Sequence, residues 1–414
     1  MKYKEGFSKQ LAQTLIETEK PKTVLDPFAG ICTTPLVASS KGLQANGIEI
    51  MPIGVLAGKA MAEAANGLSR GKFVHQAHAL LKEIRTRQSA THYSFPHVRI
   101  TEGAFSPGTE KEIARARRFL ANLEDNGIRL LLELACVSVL EAASYTRKDG
   151  QYLRWDRRAS RSLRSSVDLG PIPKFSDALE ERINEIEEDI SALKSQFGGA
   201  CPTLITGSCL DTLKDFQTDS IDLVITSPPY ANRYDYTRTY ALELAWLGFD
   251  QDGFSTLRQR LLSATVENKT KRNILNDIYR PNRSCLNHAI QMYEGQGAIH
   301  EVLNILRSHA HELSNKNVLT LIEQYFFEMA VVISELGRIV RPGGVVYMVN
   351  DNVQYHGEEL PVDFMLSDFA ESTGFQCTNI WKLARGKGNS SQQMARFGRR
   401  EMRKCVYRWV QEGD

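Results

Sequence analysis

The chain has 414 residues, enough for two or three domains or for one domain with large additions. Hydrophobic residues make up 42% and charged residues 24%, which excludes disorder of the whole chain and allows a sizeable core. With 51 Lys and Arg against 49 Asp and Glu, the net charge of +2 excludes a polybasic protein but leaves room for a local basic groove.

The first ten residues, MKYKEGFSKQ, lack the apolar stretch of a signal peptide, and no run approaches the roughly eighteen apolar residues of a membrane span. A soluble protein without membrane contact is expected. Thr23-Val24-Leu25 reads as a buried strand running into Asp26-Pro27-Phe28-Ala29-Gly30. A short helix over 33–40 follows, then a strand over 45–50 with Glu49 near its end. Strand, glycine turn, helix and strand with a terminal acid is the opening of a doubly wound α/β fold.

Residues 81 to about 200 read as mostly helical, closing with a charge-rich helix over 177–196. Strands follow at 204–206 and 220–225, the second leading into Thr226-Ser227-Pro228-Pro229-Tyr230. Residues 251–319 read as helical and polar. A helix ending near 341 passes through a Pro342-Gly343-Gly344 turn into a strand over 345–349. The predicted organisation is one α/β core from 1–80, 200–250 and 320–414, interrupted by helical insertions at 81–199 and 251–319.

Seven cysteines at 32, 136, 201, 209, 285, 377 and 405 form no CxxC pair, which suits reduced thiols in a cytosol. His75 and His78 have no acidic or thiol partner nearby, and His309 and His311 are two apart, which on a helix separates them. No metal is expected.

Two motifs carry chemistry. Gly30 lets backbone approach a ligand at the carboxyl edge of the sheet, and Glu49 is placed to accept hydrogen bonds from two ribose hydroxyls. In Ser227-Pro228-Pro229-Tyr230 the paired prolines end the strand and fix an extended backbone. That shape aims the Ser227 hydroxyl and the Pro228 carbonyl at one point, where both can accept from an amino group. The nitrogen of an exocyclic amine on a base is a poor nucleophile because its lone pair is delocalised. Two acceptors on its hydrogens favour a tetrahedral nitrogen that can attack, while Tyr230 offers a face to a base removed from the stack.

Together, Asp26-Pro27-Phe28-Ala29-Gly30 and Thr226-Ser227-Pro228-Pro229-Tyr230 resemble the DNA amino-methyltransferases, which use S-adenosylmethionine to methylate cytosine N4 or adenine N6. The Ser-Pro-Pro-Tyr form is similar to the cytosine-N4 branch. Gly6-Phe7-Ser8-Lys9-Gln10 resembles the family's N-terminal cofactor motif, and the segments 232–240 and 386–394 resemble further family segments. The resemblance covers roughly half the chain. It implies a Rossmann-like class I methyltransferase sheet, with Ser227, Pro228, Pro229 and Tyr230 catalytic. It also implies that Phe7, Lys9, Asp26, Pro27, Phe28, Ala29, Gly30, Thr33, Thr34, Glu49, Ile50, Ser208 and Cys209 hold the cofactor. Two departures stand out: Cys32 occupies the place of a second glycine, and Ser208 stands where an Asp often contacts the adenine, with Asp211 a possible substitute. The cofactor motif also precedes the catalytic one, which is not the order of the commonest Ser-Pro-Pro-Tyr enzymes.

Direct transfer needs orientation in a closed site rather than a covalent adduct, and the Pro-Cys dipeptide of ring-carbon methyltransferases is absent. No His or Lys near Tyr230 in sequence is an evident base. Double-stranded DNA is expected to be gripped by the insertions. Arg147, Lys148, Arg154, Arg157, Arg158, Arg161 and Arg164, with Tyr152 and Trp155 interleaved, form a basic patch suited to phosphate contact. Lys269, Lys271, Arg272, Arg280 and Arg283 form a second candidate, and Lys387, Asn389, Ser390 and Ser391 a third. Trp381 reads as core. The resemblance further implies pairing with a restriction endonuclease in a prokaryotic cytoplasm. Adenine N6, an amino group in RNA or on a protein glutamine, and a cofactor-free DNA-binding protein with a degenerate fold stay open as alternatives.

Overall fold

The computed structural model describes residues 8–149, 152–161, 165–196, 201–313, 315–383 and 402–413. Phe7, Arg164, Lys387, Asn389, Ser390 and Ser391 lie outside these described residues. Eleven strands are described: β1 Thr23–Asp26, β2 Gln44–Glu49, β3 Thr146–Asp149, β4 Tyr152–Trp155, β5 Thr203–Thr206, β6 Ile221–Thr226, β7 Val340–Asp351, β8 Val353–Tyr355, β9 Glu358–Leu360, β10 Phe375–Lys382 and β11 Lys404–Gln411. Seven of them form one sheet in the order β10-β11-β7-β6-β1-β2-β5, and β3-β4 and β8-β9 are separate two-stranded ribbons.

From β7 to β5 the neighbours are parallel, while β11 runs antiparallel between β7 and β10. The chain steps from β1 outwards to β2 and β5, then returns to β6 on the other side of β1. This reversal opens a crevice at the carboxyl ends of β1 and β6, where open α/β sheets bind ligands. β1 and β6 are nearly continuous apolar runs because helices cover both faces of the sheet.

The helix after β1, Thr33–Ser40, has the expected limits. The Pro342-Gly343-Gly344 sequence, expected as a turn, lies instead inside β7. There Gly343 takes φ +74° and the pairing with β6 shifts register between Ile221 and Leu223, so the sequence forms an irregularity rather than a strand boundary. The preceding helix, Asn317–Ile339, is long and apolar enough to cross a membrane by length and composition. Most of it is buried in the core, and it carries the buried polar residues Gln324, Glu328 and Glu335.

The region 81–199 holds the helices Pro107–Ala121, Asn126–Val139 and Phe175–Gln196, with a long stretch between the last two whose described residues are not helical, and its first helices have clear starts. Ser106 caps Pro107–Ala121 by accepting from the Thr109 amide, with Pro107 at the first helical position, and Asp125 caps Asn126–Val139 through the Ile128 amide. The β3-β4 ribbon was not foreseen, because its basic side chains mask the alternation of a strand. The expected boundary at 80/81 falls inside the helix Arg70–Ile84. One apolar cluster joins that helix to side chains between Met51 and Ala64 before it and between Tyr240 and Leu261 after it. The segment 251–319 is helical, and Trp381 is 43% exposed and stacks on Tyr347 rather than entering the core.

Candidate active site

The β1 and β6 loops leave the sheet at one level, since Val24 pairs with Leu223 and Leu25 with Val224. Asp26 ends β1 almost completely buried. Its Oδ1 accepts from the Thr226 hydroxyl at 2.7 Å and from the Phe28 amide at 3.1 Å. One carboxylate therefore turns its own loop and fastens it to the strand that delivers Ser227. Burial raises its pKa to about 6, against the hydrogen bonds from Thr226 and Phe28 that lower it.

Glu49 ends β2. Its two oxygens accept from the Gly30 amide and the Met51 amide, each at 2.5 Å. Burial raises its pKa to about 7, with the Met51, Gly30 and Ile50 amides pulling it down and the Asp26 charge pushing it up. Gly30 has φ +55°, and Cys32 takes φ +64°, the left-handed region where a glycine would sit without strain. The helix Pro52–Ala65 packs so closely behind this loop that a Cβ on Gly54 would lie 2.5 Å from the Gly30 carbonyl and 2.8 Å from Glu49 Cγ.

These elements line one cleft at the carboxyl edge of the sheet. Asp26, Pro27, Phe28, Ala29, Gly30, Thr33, Glu49, Ile50, Ser208, Cys209, Ser227 and Pro229 all line it, so the structure brings together most of the residues singled out in both motifs. Thr34 is fully buried and does not line it, because it sits behind the loop in the first turn of its helix. Lys9 starts the exposed helix Lys9–Glu19 and is not among the lining residues. Asp211 forms an ion pair with Arg260 at 3.6 Å rather than joining Ser208 at the cavity.

Sequence reasoning missed Ile31, Ile48, Met51, Gly207, Tyr236, Leu261 and Leu262 as lining residues, and they complete the walls. Tyr236 lies in the segment 232–240, where buried Asp235 accepts from the Thr237 and Arg238 amides and pairs with Arg258 at 3.0 Å. Leu261 and Leu262 carried no signal, since they stand more than two hundred residues from the glycine loop. They are fixed by their neighbour Ser263, whose amide and hydroxyl donate to Glu328 at 2.8 and 2.6 Å. Lys271 donates to both Glu328 oxygens, at 2.8 and 2.9 Å, in the same buried network.

In the catalytic-type loop, the Ser227 hydroxyl donates to the Val349 carbonyl at 3.1 Å and lies 3.2 Å from the Tyr230 hydroxyl. With its proton given to Val349, its lone pairs face outward as acceptors. The Tyr230 ring, expected to offer an open face, is only 4% exposed, and the Lys404 ammonium sits 5.2 Å from its centroid. Lys404 comes from β11, 174 positions on, which is why no lysine near Tyr230 was visible in the sequence. Arg233, three residues past Tyr230, takes φ +70° and keeps a buried Nε with no hydrogen-bond partner.

The basic patch divides. Lys148 is 5% exposed, paired with buried Glu243 and 4.4 Å from the Tyr240 ring centroid, so it braces the core instead of facing phosphate. Arg147 donates to the carbonyls of Glu141 and Thr146, at 2.5 and 2.8 Å. Arg158 holds buried Asp156 through two bonds, at 2.6 and 2.8 Å, and Arg161 donates to the Ile100 carbonyl while lying over Trp155. Lys148 and Arg147 are held against their own chain, whereas Arg158, 43% exposed, lies at the surface beside its carboxylate partner. Arg154 and Arg157 remain outward, paired to surface Asp149 and Asp168. In the second basic group, Lys271 is buried and Arg272 lies over Phe327, so neither is free for phosphate.

No family model matches the chain. It is 41% identical over 422 residues to the type II methyltransferase M.AvaI of a Nostoc species, an alignment covering 99% of this chain and 85% of that protein. The protein of the same name from Anabaena variabilis matches equally. The type II methyltransferase M.BsoBI of Geobacillus stearothermophilus is 38% identical over 99% of this chain and 84% of its own length.

Proposed function

This chain belongs to the type II methyltransferases, and we propose that it methylates the exocyclic N4 amine of a cytosine flipped out of double-stranded DNA, in partnership with a restriction endonuclease. The cofactor is S-adenosylmethionine, which supplies an electrophilic methyl group. The observation that carries the reading is a single cavity lined by the glycine loop, Glu49, Ser208 and the catalytic-type Ser227 and Pro229. The fit is chemical as well as spatial. The apolar walls from Ile31, Ile50, Met51, Leu261 and Leu262 suit a purine ring, and the Glu49 carboxylate beside them suits ribose hydroxyls.

Ser227 and the Pro228 carbonyl accept from the target amine, and Tyr230 positions Ser227. Arg154, Arg157 and Arg233 are the described candidates for DNA contact, with Lys387, Asn389, Ser390 and Ser391 outside the described residues. The helical regions 81–199 and 251–319 carry target recognition in this reading, and the setting is the bacterial cytoplasm.

Nucleoside mass spectrometry on unmethylated DNA incubated with protein and S-adenosylmethionine tests it. N4-methylcytosine that disappears in Ser227→Ala, with cofactor binding retained, is the expected result. N6-methyladenine overturns the base assignment, and no methylated base despite bound cofactor overturns the DNA reading.

A further inference from the structure

Outside the lining of the cavity, the end of the helix Gly297–Ser308 meets the β8-β9 ribbon, and three side chains converge there. His309, Glu312 and His356 each present a ligand atom within 4.8 Å of the other two. We propose that these residues bind a divalent cation of the zinc class, which clips the ribbon to the helix end.

Three features support a built site over a chance encounter. First, His309 Nδ1 lies 3.0 Å from the Ile305 carbonyl. Ser308 Oγ lies at the same distance from Nδ1; in the tautomer whose Nδ1–H donates to the carbonyl, Nε2 keeps its lone pair. Metal-bound histidines are commonly fixed in this way by a carbonyl behind the ring. Second, His356 sits in the ribbon turn at φ +50°, followed by Gly357 at φ +87°. A two-residue hairpin turn requires positive φ at both positions, which Asn, Asp and His tolerate best after Gly, so the tight turn fixes where the imidazole leaves the backbone. Third, the His356 side chain is 12% exposed and lies 3.9 Å from the more exposed Glu312, whose other oxygen is 3.7 Å from His311.

Ligand atoms around zinc at bond lengths of 2.0–2.1 Å stand about 3.3 Å apart. The observed separations therefore close by small side-chain rotations. Two neutral imidazoles and one carboxylate favour zinc over magnesium or calcium, and three protein ligands leave a fourth position for water. His311, the sequence neighbour that drew attention, is 77% exposed; the partner of His309 comes instead from 47 residues further on, with ring centroids 5.0 Å apart.

The position gives the ion a mechanical role. Tyr355, adjacent to His356, donates its hydroxyl to the Ala231 carbonyl at 2.5 Å, one residue past Tyr230. A clipped ribbon would brace the exit of the catalytic-type loop.

The test uses the full chain, stripped with a chelator and titrated with Zn²⁺ against a chromophoric competitor, with Co²⁺ absorption as a second readout. One equivalent of Zn²⁺ is expected, with tetrahedral cobalt bands and a rise in melting temperature on binding. Affinity should fall at least ten-fold in His309→Ala and in His356→Asn, the latter chosen because Asn suits a left-handed turn and preserves the fold. Absence of stoichiometric binding overturns the proposal. So does binding that survives in both variants, which would assign the metal to other groups such as the exposed Cys201.

Discussion

Cofactor affinity should depend on pH through Glu49. Burial lifts this carboxyl to a pKa of about 7, and ribose hydroxyls donate far more strongly to its ionised form. When the unliganded site must lose a proton before binding, the apparent dissociation constant scales as one plus ten raised to the pKa minus the pH. Between pH 8 and pH 6 this amounts to a weakening of about ten-fold, or ~1.4 kcal/mol.

The unliganded protein should respond in the opposite sense. The folded state holds the Glu49 proton to higher pH than the unfolded chain, whose value is near 4.5. Its contribution to stability is therefore full below that value and lost as pH rises through about 7, by roughly 3 kcal/mol at most. Asp26, raised from 3.8 to about 6, adds a loss of the same sign at lower pH. Calorimetric titration of S-adenosylmethionine at pH 6, 7 and 8, in buffers of different ionisation enthalpy, reads both affinity and proton release. Near pH 7 about half a proton should leave per cofactor bound. An affinity flat from pH 6 to 8 with no proton released would refute the argument.

Other perturbations separate structure from function. Arg233→Gly relieves a left-handed backbone and removes a buried Nε without a partner, so the denaturation midpoint should rise, by about 1 kcal/mol of stability, while DNA methylation falls. Lys271→Met leaves the Glu328 charge buried without its cation and should cost about 3–5 kcal/mol in denaturant titrations. Replacing Glu328 by Gln as well should recover part of that loss, because a neutral amide removes the buried charge while its oxygen still accepts from Ser263. Arg154→Ala and Arg157→Ala should each reduce the salt dependence of DNA binding by about one unit of slope at unchanged stability. Lys148→Ala should instead destabilise the fold, because Glu243 is buried beside it.

What the sequence revealed divides along chain distance. The strands after Thr23 and Ile221, the glycine loop, Glu49 and the proline pair announce themselves locally, through apolar runs ended by residues that cannot continue a strand. Twelve of the expected residues meet in one cavity for that reason. The walls from Leu261 and Leu262, the lysine over Tyr230 and the pairing of His309 with His356 depend on folding that brings distant segments together. Nothing in their neighbourhoods marks them. The basic patch was legible as charge, but the partners of its side chains were not. Composition counts charges but not their partners, and Arg147, Lys148, Arg158 and Arg161 are occupied by carbonyls and carboxylates of their own chain.

The Ser263, Lys271 and Glu328 network has a consequence for building chimaeras. Exchange of recognition regions between relatives treats such a region as a cassette that can be cut at its ends. Here the 251–319 stretch brings part of the cavity wall with it and anchors that wall on a helix of the recipient. A graft made at residue 251 would separate Ser263 and Lys271 from the glutamate they evolved beside. A junction placed after Lys271 keeps the triad native and leaves the helices Arg272–Ile278, Ser284–Gly295 and Gly297–Ser308 as the exchangeable unit.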